Sequence, residues 1–385
     1  MRSVRAITVF ENIPILVRAA LNVPVENGRV MNEYRLHRAV PTIRFLAERG
    51  ARVVLISHSG EKGTETLAPA AQTLGTLIPN VSFFPETVGP GARAAVRNLA
   101  PGEILVLENL RRHAGEQKNE PAFARELAEL ADIFVEDSFD TCHRSHASIV
   151  GVPRLLPSYA GLLLEEEVTA LSAALIPEHP AFAVIGGAKF STKEAVLSAL
   201  IATYDHVFVG GALANDFLKA AGQGVGKSLV SDTDLARIKE ILSNPKLVLP
   251  VDSLVAKAGA EAAGPAGARV APVGHVATDE IILDHGPSTR ALLAELARTA
   301  KTILWNGPLG NYEKGFVDTT DALARAIADS GAHSVVGGGD TIASIENLGL
   351  LPRFSFVSTG GGAMLDFLAE GTLPGIAALE THPSA

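Results

Sequence analysis

The sequence is short of several things, and each shortage narrows what it can be. Among 385 residues there is one cysteine, Cys142, so no internal disulfide can form and the chain suits a reducing cytoplasm. No apolar run approaches the ~18 residues a membrane-spanning helix needs, and the N-terminus lacks the basic, apolar and small-residue succession of a secretory signal. Neither a membrane nor a secretory route is therefore expected. Aromatic residues make up 5% and the formal net charge is −9, a poor basis for stacking bases or neutralising phosphodiesters, so nucleic acid is not an expected partner. With 47% hydrophobic and 19% charged residues, the chain is not disordered. Lysine is nearly absent from the first part: residues 1–160 hold 18 Lys and Arg, 16 of them Arg, against 17 Asp and Glu, while the remainder holds 15 against 25. A near-neutral, arginine-rich half suits forked recognition of carboxylate or phosphate.

Glycine is abundant, and its placement organises the chain. SVVGGGDTIASI (Ser334–Ile345) runs from an apolar strand through Gly337, Gly338 and Gly339 into a helical pattern opened by Asp340 and Thr341. Such a turn lets the backbone approach a bound group and exposes helix N-terminal N–H donors. Asp340 stands at N-cap spacing and can cap the helix or hold a metal-bound phosphate. Four further strands run into glycine, at Ala183–Lys189, Val207–Ala214, Ile303–Gly310 and Phe356–Ala363. In open α/β sheets ligands sit at the carboxyl ends of strands, so five such turns on one rim point to a phosphorylated ligand. Lys189 and Lys193, four apart where one turn enters a helix, are expected on one helix face, a position the helix dipole disfavours unless an anion is present.

Strands Ile15–Val17, Ala51–Ser57, Ile104–Leu107 and Ile133–Val135 alternate with helices His37–Glu48 and Glu120–Ala131, a rhythm that predicts a parallel sheet. Ser158–Leu175, bracketed by prolines, reads as a long connecting helix. A second βα series follows from Ala183 to Leu368. Ala258–Gly274 is expected as a surface excursion, and the last residues from Leu373 read as a tail.

Some motifs are set aside. GVGKSL (Gly224–Leu229) has Ala221 where a P-loop needs its first glycine, and it follows a helical pattern. No G-x-S-x-G elbow is present. CHRSH (Cys142–His146) places Arg144 among its potential ligands and suits an anion better than a metal. Transfer of a phosphoryl group to a carboxylate, already ionised at neutral pH, needs charge neutralisation and alignment and no general base. That chemistry matches arginines, lysines and glycine turns without an evident base.

With these residues in view, the chain resembles the phosphoglycerate kinase family over almost its whole length. The motifs that carry the likeness are VRAALNVP (Val17–Pro24), SHSG (Ser57–Gly60), LENLRRH (Leu107–His113), HRSHASIVGV (His143–Val152), GGAKFSTK (Gly186–Lys193), LPVD (Leu249–Asp252), WNGPLG (Trp305–Gly310), GGGDT and STGGGA. The resemblance implies an α/β fold of two Rossmann-like, doubly wound parallel-sheet domains joined by a hinge helix about an open cleft. An acceptor domain at 1–157, a hinge helix at 158–176 and a nucleotide domain at 177–372 are expected, with 373–385 packing back on the first. The implied activity is reversible transfer of the ATP γ-phosphate to 3-phosphoglycerate, with Mg²⁺ accompanying ATP or ADP, in a cytoplasmic monomer.

Carried over residue by residue, Arg35, Lys189, Gly361 and Gly362 act on the moving phosphoryl group, with Gly360 in the same turn. Asn22, Arg35, His58, Arg111 and Arg144 hold the acceptor. Lys189, Lys193, Gly210, Gly211, Asn306, Pro308, the ribose-side Glu313, Gly337, Gly338, Gly339, Asp340 and Thr341 hold the nucleotide, and Asp340 its Mg²⁺. Three positions depart. Ala20 stands where the family has an aspartate for the acceptor hydroxyl, Glu61 where it has a phosphate-binding arginine, and Ala212 where it has a third glycine; Lys62 and Arg112 are candidates to compensate for Glu61. The departures leave two alternatives, a paralogue that phosphorylates another small carboxylate and a non-catalytic nucleotide-binding regulator.

Overall fold

The computed structural model describes residues 1–232, 235–261 and 264–380. It falls into two compact units, Met1–Thr169 with the chain from Thr372 onward, and Ala170–Gly371.

In the first unit the strands are β1 (Pro14–Ala19), β2 (Val25–Glu26), β3 (Arg29–Val30), β4 (Arg52–Ile56), β5 (Val81–Phe84), β6 (Ile104–Leu107), β7 (Ile133–Asp137) and β8 (Ser158–Ala160). Strands β2 and β3 form a small hairpin, and the others one sheet in the order β5-β6-β4-β1-β7-β8, parallel throughout. Successive side chains alternate between faces. Ile15, Val17, Val53, Leu55, Ile104 and Val106 therefore fill one core, and Leu16, Val54, Ile56, Leu105 and Leu107 the other. Two apolar faces require helices on both sides, which is why a parallel sheet here is fully buried.

The second unit holds β9 (Ala181–Ile185), β10 (His206–Val209), β11 (Leu247–Val248), β12 (Asp252–Lys257), β13 (Arg269–Pro272), β14 (Glu280–His285), β15 (Thr302–Asn306), β16 (His333–Gly337) and β17 (Phe356–Val357). Its main sheet is β11-β10-β9-β15-β16-β17, again all parallel. The parallel pairing puts the five glycine turns at one edge, as the sequence reading expected. An antiparallel sheet β13-β12-β14 accompanies it.

Two local expectations change and a third gains detail. The connecting helix begins at Leu162, not Ser158, because Ser158–Ala160 pairs with β7 as an edge strand. The helix start is fixed by side chains distant in sequence: Asp137 Oδ1 accepts from Leu163 N at 3.0 Å, and Thr42 Oγ1 from Leu162 N at 2.9 Å. The stretch Ala258–Gly274, of which residues 262 and 263 lie outside the described part, does lie at the surface, with Ala271 alone buried among its described residues, and it carries β13. The presumed tail includes the helix Pro374–Glu380, whose Gly375 N donates to Cys142 O at 2.8 Å and whose Ala378 packs with Ile149 and Val150. Residues 381–385 lie outside the described part.

Candidate active site

In the first unit the candidate acceptor residues gather at the carboxyl ends of β1, β4, β6 and β7. Arg35 lies in the first turn of the helix Tyr34–Ala47. Its Nη1 donates to Asn22 O at 2.7 Å and stands 3.5 Å from Asp140 Oδ2. Asn22 Oδ1 accepts from Gly60 N at 3.3 Å, and Arg111 Nη1 donates to Gly60 O at 2.6 Å. A cavity of about 390 Å³ opens among Asn22, Pro24, Arg35, Ser59, Gly60 and Glu65. Asn109 ties the loops around it together, donating to Ser59 O at 2.7 Å and Glu65 O at 2.8 Å.

The hub of this region is a residue the sequence reading did not select. Arg18, in β1, is 1% exposed. Its guanidinium donates to Ala19 O, Ser57 Oγ, Ser138 Oγ and Ser148 Oγ, and reaches His58 Nδ1 at 2.9 Å. A guanidinium can only donate, so Nδ1 of His58 accepts and the ring proton sits on Nε2. Burial, then the charges of Arg18, Arg111 and Arg35, hold His58 well below the usual histidine range, so it is neutral at neutral pH. His146 is pushed down to about 4 by burial and by Arg111, Arg18 and Arg144. Burial and the neighbouring Arg18 and Arg144 lower Arg111 itself. Arg18, Arg35, Arg111 and Arg144 thus share one positive field, an arrangement that favours an anionic ligand. Arg144 is exposed.

In the second unit the glycine turns pack on one another. A Cβ on Gly186 would lie 2.3 Å from Pro308 O, and one on Gly361 would lie 3.0 Å from Gly338 Cα. Gly338 has φ +105°, a conformation that L side chains rarely adopt. Side chains lock the array: Thr341 Oγ1 accepts from Gly307 N at 3.1 Å, Asn306 Nδ2 donates to Gly361 O at 3.1 Å, and the buried Trp305 donates to Gly307 O at 2.9 Å. A cavity of about 890 Å³ lies beside this rim, lined by Gly211, Pro308, Glu313 and Asp340 among the expected residues, and by Gly187 and Ile281–His285 besides. Asn306, Thr341, Gly210, Gly337, Gly338 and Gly339 do not line it, and neither do Lys189 and Lys193. Lys189 precedes the short 3₁₀ turn Phe190–Thr192 and Lys193 the helix Glu194–Thr203, so the two do not share a helix face. The 3₁₀ turn breaks the α register on which that expectation rested. Burial brings Lys193 down to about 8, partly offset by Asp366.

Sequence reasoning missed His285 and Asp284 in the wall. His285 Nε2 accepts from Gly211 N at 3.1 Å, and burial pushes the ring down to about 4. Burial raises Asp284 to about 6. The LDHG run at the end of an apolar strand is the one signal that could have marked them. The rejected P-loop resemblance stays rejected, since Gly224–Leu229 runs beside β14 with Lys227 N donating to Glu280 O at 2.7 Å.

A family model described as phosphoglycerate kinase matches residues 5–371. The chain belongs to the phosphoglycerate kinase family. A phosphoglycerate kinase of Azorhizobium caulinodans is 44% identical over 381 residues, covering 95% of this chain and 96% of that protein. One of Thermus thermophilus is 45% identical over 382 residues, with 95% and 96% covered. Among solved structures, phosphoglycerate kinase from Coxiella burnetii superposes with TM-score 0.82 at 40% identity, covering 98% of each chain. That from Pyrococcus horikoshii superposes with TM-score 0.88 at 32% identity, with 99% of this chain and 98% of that one covered.

Within this phosphoglycerate kinase fold the departures can be placed. Ala20 is buried. Glu61 is exposed and lies in the field of Arg111. Arg112 does not offset Glu61, because it pairs with Glu108 at 3.1 Å. Asp340 is the second residue of the helix Gly339–Asn347, and the N-cap is Gly338, without a side-chain capping bond. Burial and then Glu313 raise the Asp340 carboxyl, and among the described residues nothing hydrogen-bonds it. No group of three or more His, Cys, Asp or Glu side chains among the described residues is placed to hold a metal. An uncompensated carboxylate at a helix start fits Mg²⁺ held by one protein oxygen together with phosphates and water, the way this ion binds nucleotides.

Proposed function

We propose that this chain is an ATP-dependent phosphotransferase that reversibly phosphorylates the carboxylate of 3-phosphoglycerate, giving 1,3-bisphosphoglycerate and ADP. The family match over residues 5–371 carries this reading. An acceptor carboxylate oxygen attacks the γ-phosphorus, the bond from phosphorus to the ADP oxygen breaks, and ADP leaves with that electron pair. No proton moves, which is why a site of donors without a general base suffices.

His58 donates from Nε2 to an acceptor oxygen, and Arg111 and Arg144 attract the acceptor phosphate. Arg35 and Lys189 neutralise charge on the moving phosphoryl group, with N–H donors of the Gly360–Gly362 turn. Lys193 binds nucleotide phosphate, and Gly211, Pro308 and Glu313 line the nucleotide cavity. Asn306, Gly210, Gly337, Gly339 and Thr341 act from behind, by shaping the glycine turns. Mg²⁺ bound with the nucleotide would neutralise phosphate charge, with Asp340 as its protein ligand.

The helix Leu162–Ala174 is the proposed hinge, and the chain is proposed to act as a cytoplasmic monomer. Among the described residues no helix is long and apolar enough to cross a membrane.

A coupled turnover assay with ATP, Mg²⁺ and 3-phosphoglycerate, set beside other small carboxylates, tests the reading. Turnover should be highest with 3-phosphoglycerate. Preference for another carboxylate would replace the substrate, and nucleotide binding without any turnover would remove the activity.

A further inference from the structure

Beyond the residues assigned above, Asp140 stands out. It lies in the short 3₁₀ turn Phe139–Thr141 just past β7, its side chain 4% exposed and its Oδ2 3.5 Å from Arg35 Nη1. Its Oδ1 accepts from Ser138 Oγ at 2.6 Å. That same hydroxyl accepts from Arg18 Nη1 at 3.4 Å and from Thr141 Oγ1 at 3.0 Å. One carboxylate thus touches Arg35 directly and Arg18 through a single serine, and Arg18 fixes His58.

The strand ends make this possible. Ala19 is paired with Asp137 in parallel register, so the segments just beyond, Ala20–Asn22 and Ser138–Asp140, leave the sheet side by side. Arg35 Nη1 reaches one of them at Asn22 O and the other at Asp140. Arg35 is 29% exposed at its side chain and Asp140 is 4% exposed, so the carboxylate sits on the buried side of the guanidinium. A planar fork held from behind is fixed in its plane and direction. A carboxylate facing the anion would repel it, whereas one behind the arginine costs little attraction and supplies orientation.

We propose that Asp140 is a positioning residue for phosphoryl transfer, one that orients Arg35 toward the reacting group from the end of β7. The proposal rests on the phosphoglycerate kinase reading for its kinetic consequence, but not for the geometry itself. Displacing a catalytic donor by about 1 Å can lower a rate by ~10²-fold. Asp140→Ala is accordingly expected to lower kcat about 10- to 100-fold, with the nucleotide KM unchanged.

The test is a double-mutant cycle with Arg35→Ala, read by kcat and KM for both substrates, beside the ¹⁵N–¹H resonance of Arg35 Nε. If Asp140 acts through Arg35, Asp140→Ala adds less than about threefold to the loss already caused by Arg35→Ala, because the two changes remove one interaction. The Arg35 resonance should broaden or vanish in Asp140→Ala. Additive losses, or an Arg35 resonance unchanged in position and width, would overturn the proposal. If Asp140→Ala does not fold, the isosteric Asp140→Asn carries the same cycle. Should the unmodified protein fail to phosphorylate 3-phosphoglycerate, the proposed function falls, while the resonance still decides whether Asp140 holds Arg35.

Discussion

Replacing Asp340 by asparagine separates two roles that a carboxylate at a helix start can play. The change keeps shape and volume and removes one negative charge. Gly338 is the N-cap and no side-chain capping bond exists, so no cap is lost. The remaining helix-dipole interaction at an exposed N-terminus is worth about 0.3–1 kcal/mol. It is opposed by relief of the burial and of the repulsion from Glu313 that raise the carboxyl. Stability is therefore expected to change by less than about 1 kcal/mol.

Mg-nucleotide affinity should respond far more. Two unit charges about 4 Å apart interact by about 1 kcal/mol in water and ~4 kcal/mol at an effective dielectric of 20. Asp340 is exposed at the helix start while the bound phosphates would partly desolvate it, so the interaction lies between these limits and Asp340→Asn should weaken Mg-ATP binding by roughly 5- to 1000-fold. Metal-free ATP should bind equally well or slightly tighter, since the carboxylate and the phosphates carry like charge. Isothermal titration with ATP, with and without Mg²⁺ at constant ionic strength, measures both constants. Equal losses in the two titrations would refute the metal role and leave Asp340 a structural residue.

The other expectations concern the flanking charges. Lys189→Ala should lower kcat by about 10²–10³, the loss typical of one electrostatic donor, and change nucleotide affinity much less; a folded variant with unchanged kcat would take Lys189 out of the mechanism. Lys193 titrates at about 8 in the free protein, and a bound phosphate would raise that value. Binding then takes up a proton above pH ~8, so nucleotide affinity should fall as pH rises past it, and Lys193→Arg should flatten the profile between pH 7.5 and ~9.5. Glu61→Arg should lower KM for 3-phosphoglycerate by about tenfold at low salt and less at high salt, because an exposed charge is screened; a KM that does not move would show that Glu61 does not face the acceptor. His285 is buried neutral with its titration near 4. The unfolded chain therefore binds more protons between about pH 4 and 6.5, and stability rises with pH there. Substituting glutamine should reduce that slope by up to about 1.4 kcal/mol per pH unit in urea unfolding.

Much of this was legible because the signals are local. Ile104–Leu107 reads as a strand from four consecutive apolar residues and is one, buried at every position. The glycine turns read correctly as strand ends because parallel β-strands end where apolar residues stop. The misread stretches are those decided from far away. Ser158–Ala160 looks continuous with the helix after it, and only pairing with β7 makes it a strand. Arg18 reads as an ordinary polar residue in a strand, yet its hydroxyl partners Ser57, Ser138 and Ser148 come from up to 130 residues away. Asp140 gains meaning only once β1 and β7 lie side by side. The spacing of Lys189 and Lys193 alone cannot distinguish an α turn from the 3₁₀ turn that lies between them, so it suggests a shared helix face that does not exist.

The most direct measurement of the central claim is chemical trapping of the product. The protein incubated with Mg-ATP and 3-phosphoglycerate in the presence of hydroxylamine should yield the hydroxamate of 3-phosphoglycerate, one per ADP formed. Only a phosphorylated carboxylate reacts in this way. ADP formation with no hydroxamate, or phosphate recovered on the substrate's hydroxyl, would contradict transfer to a carboxylate.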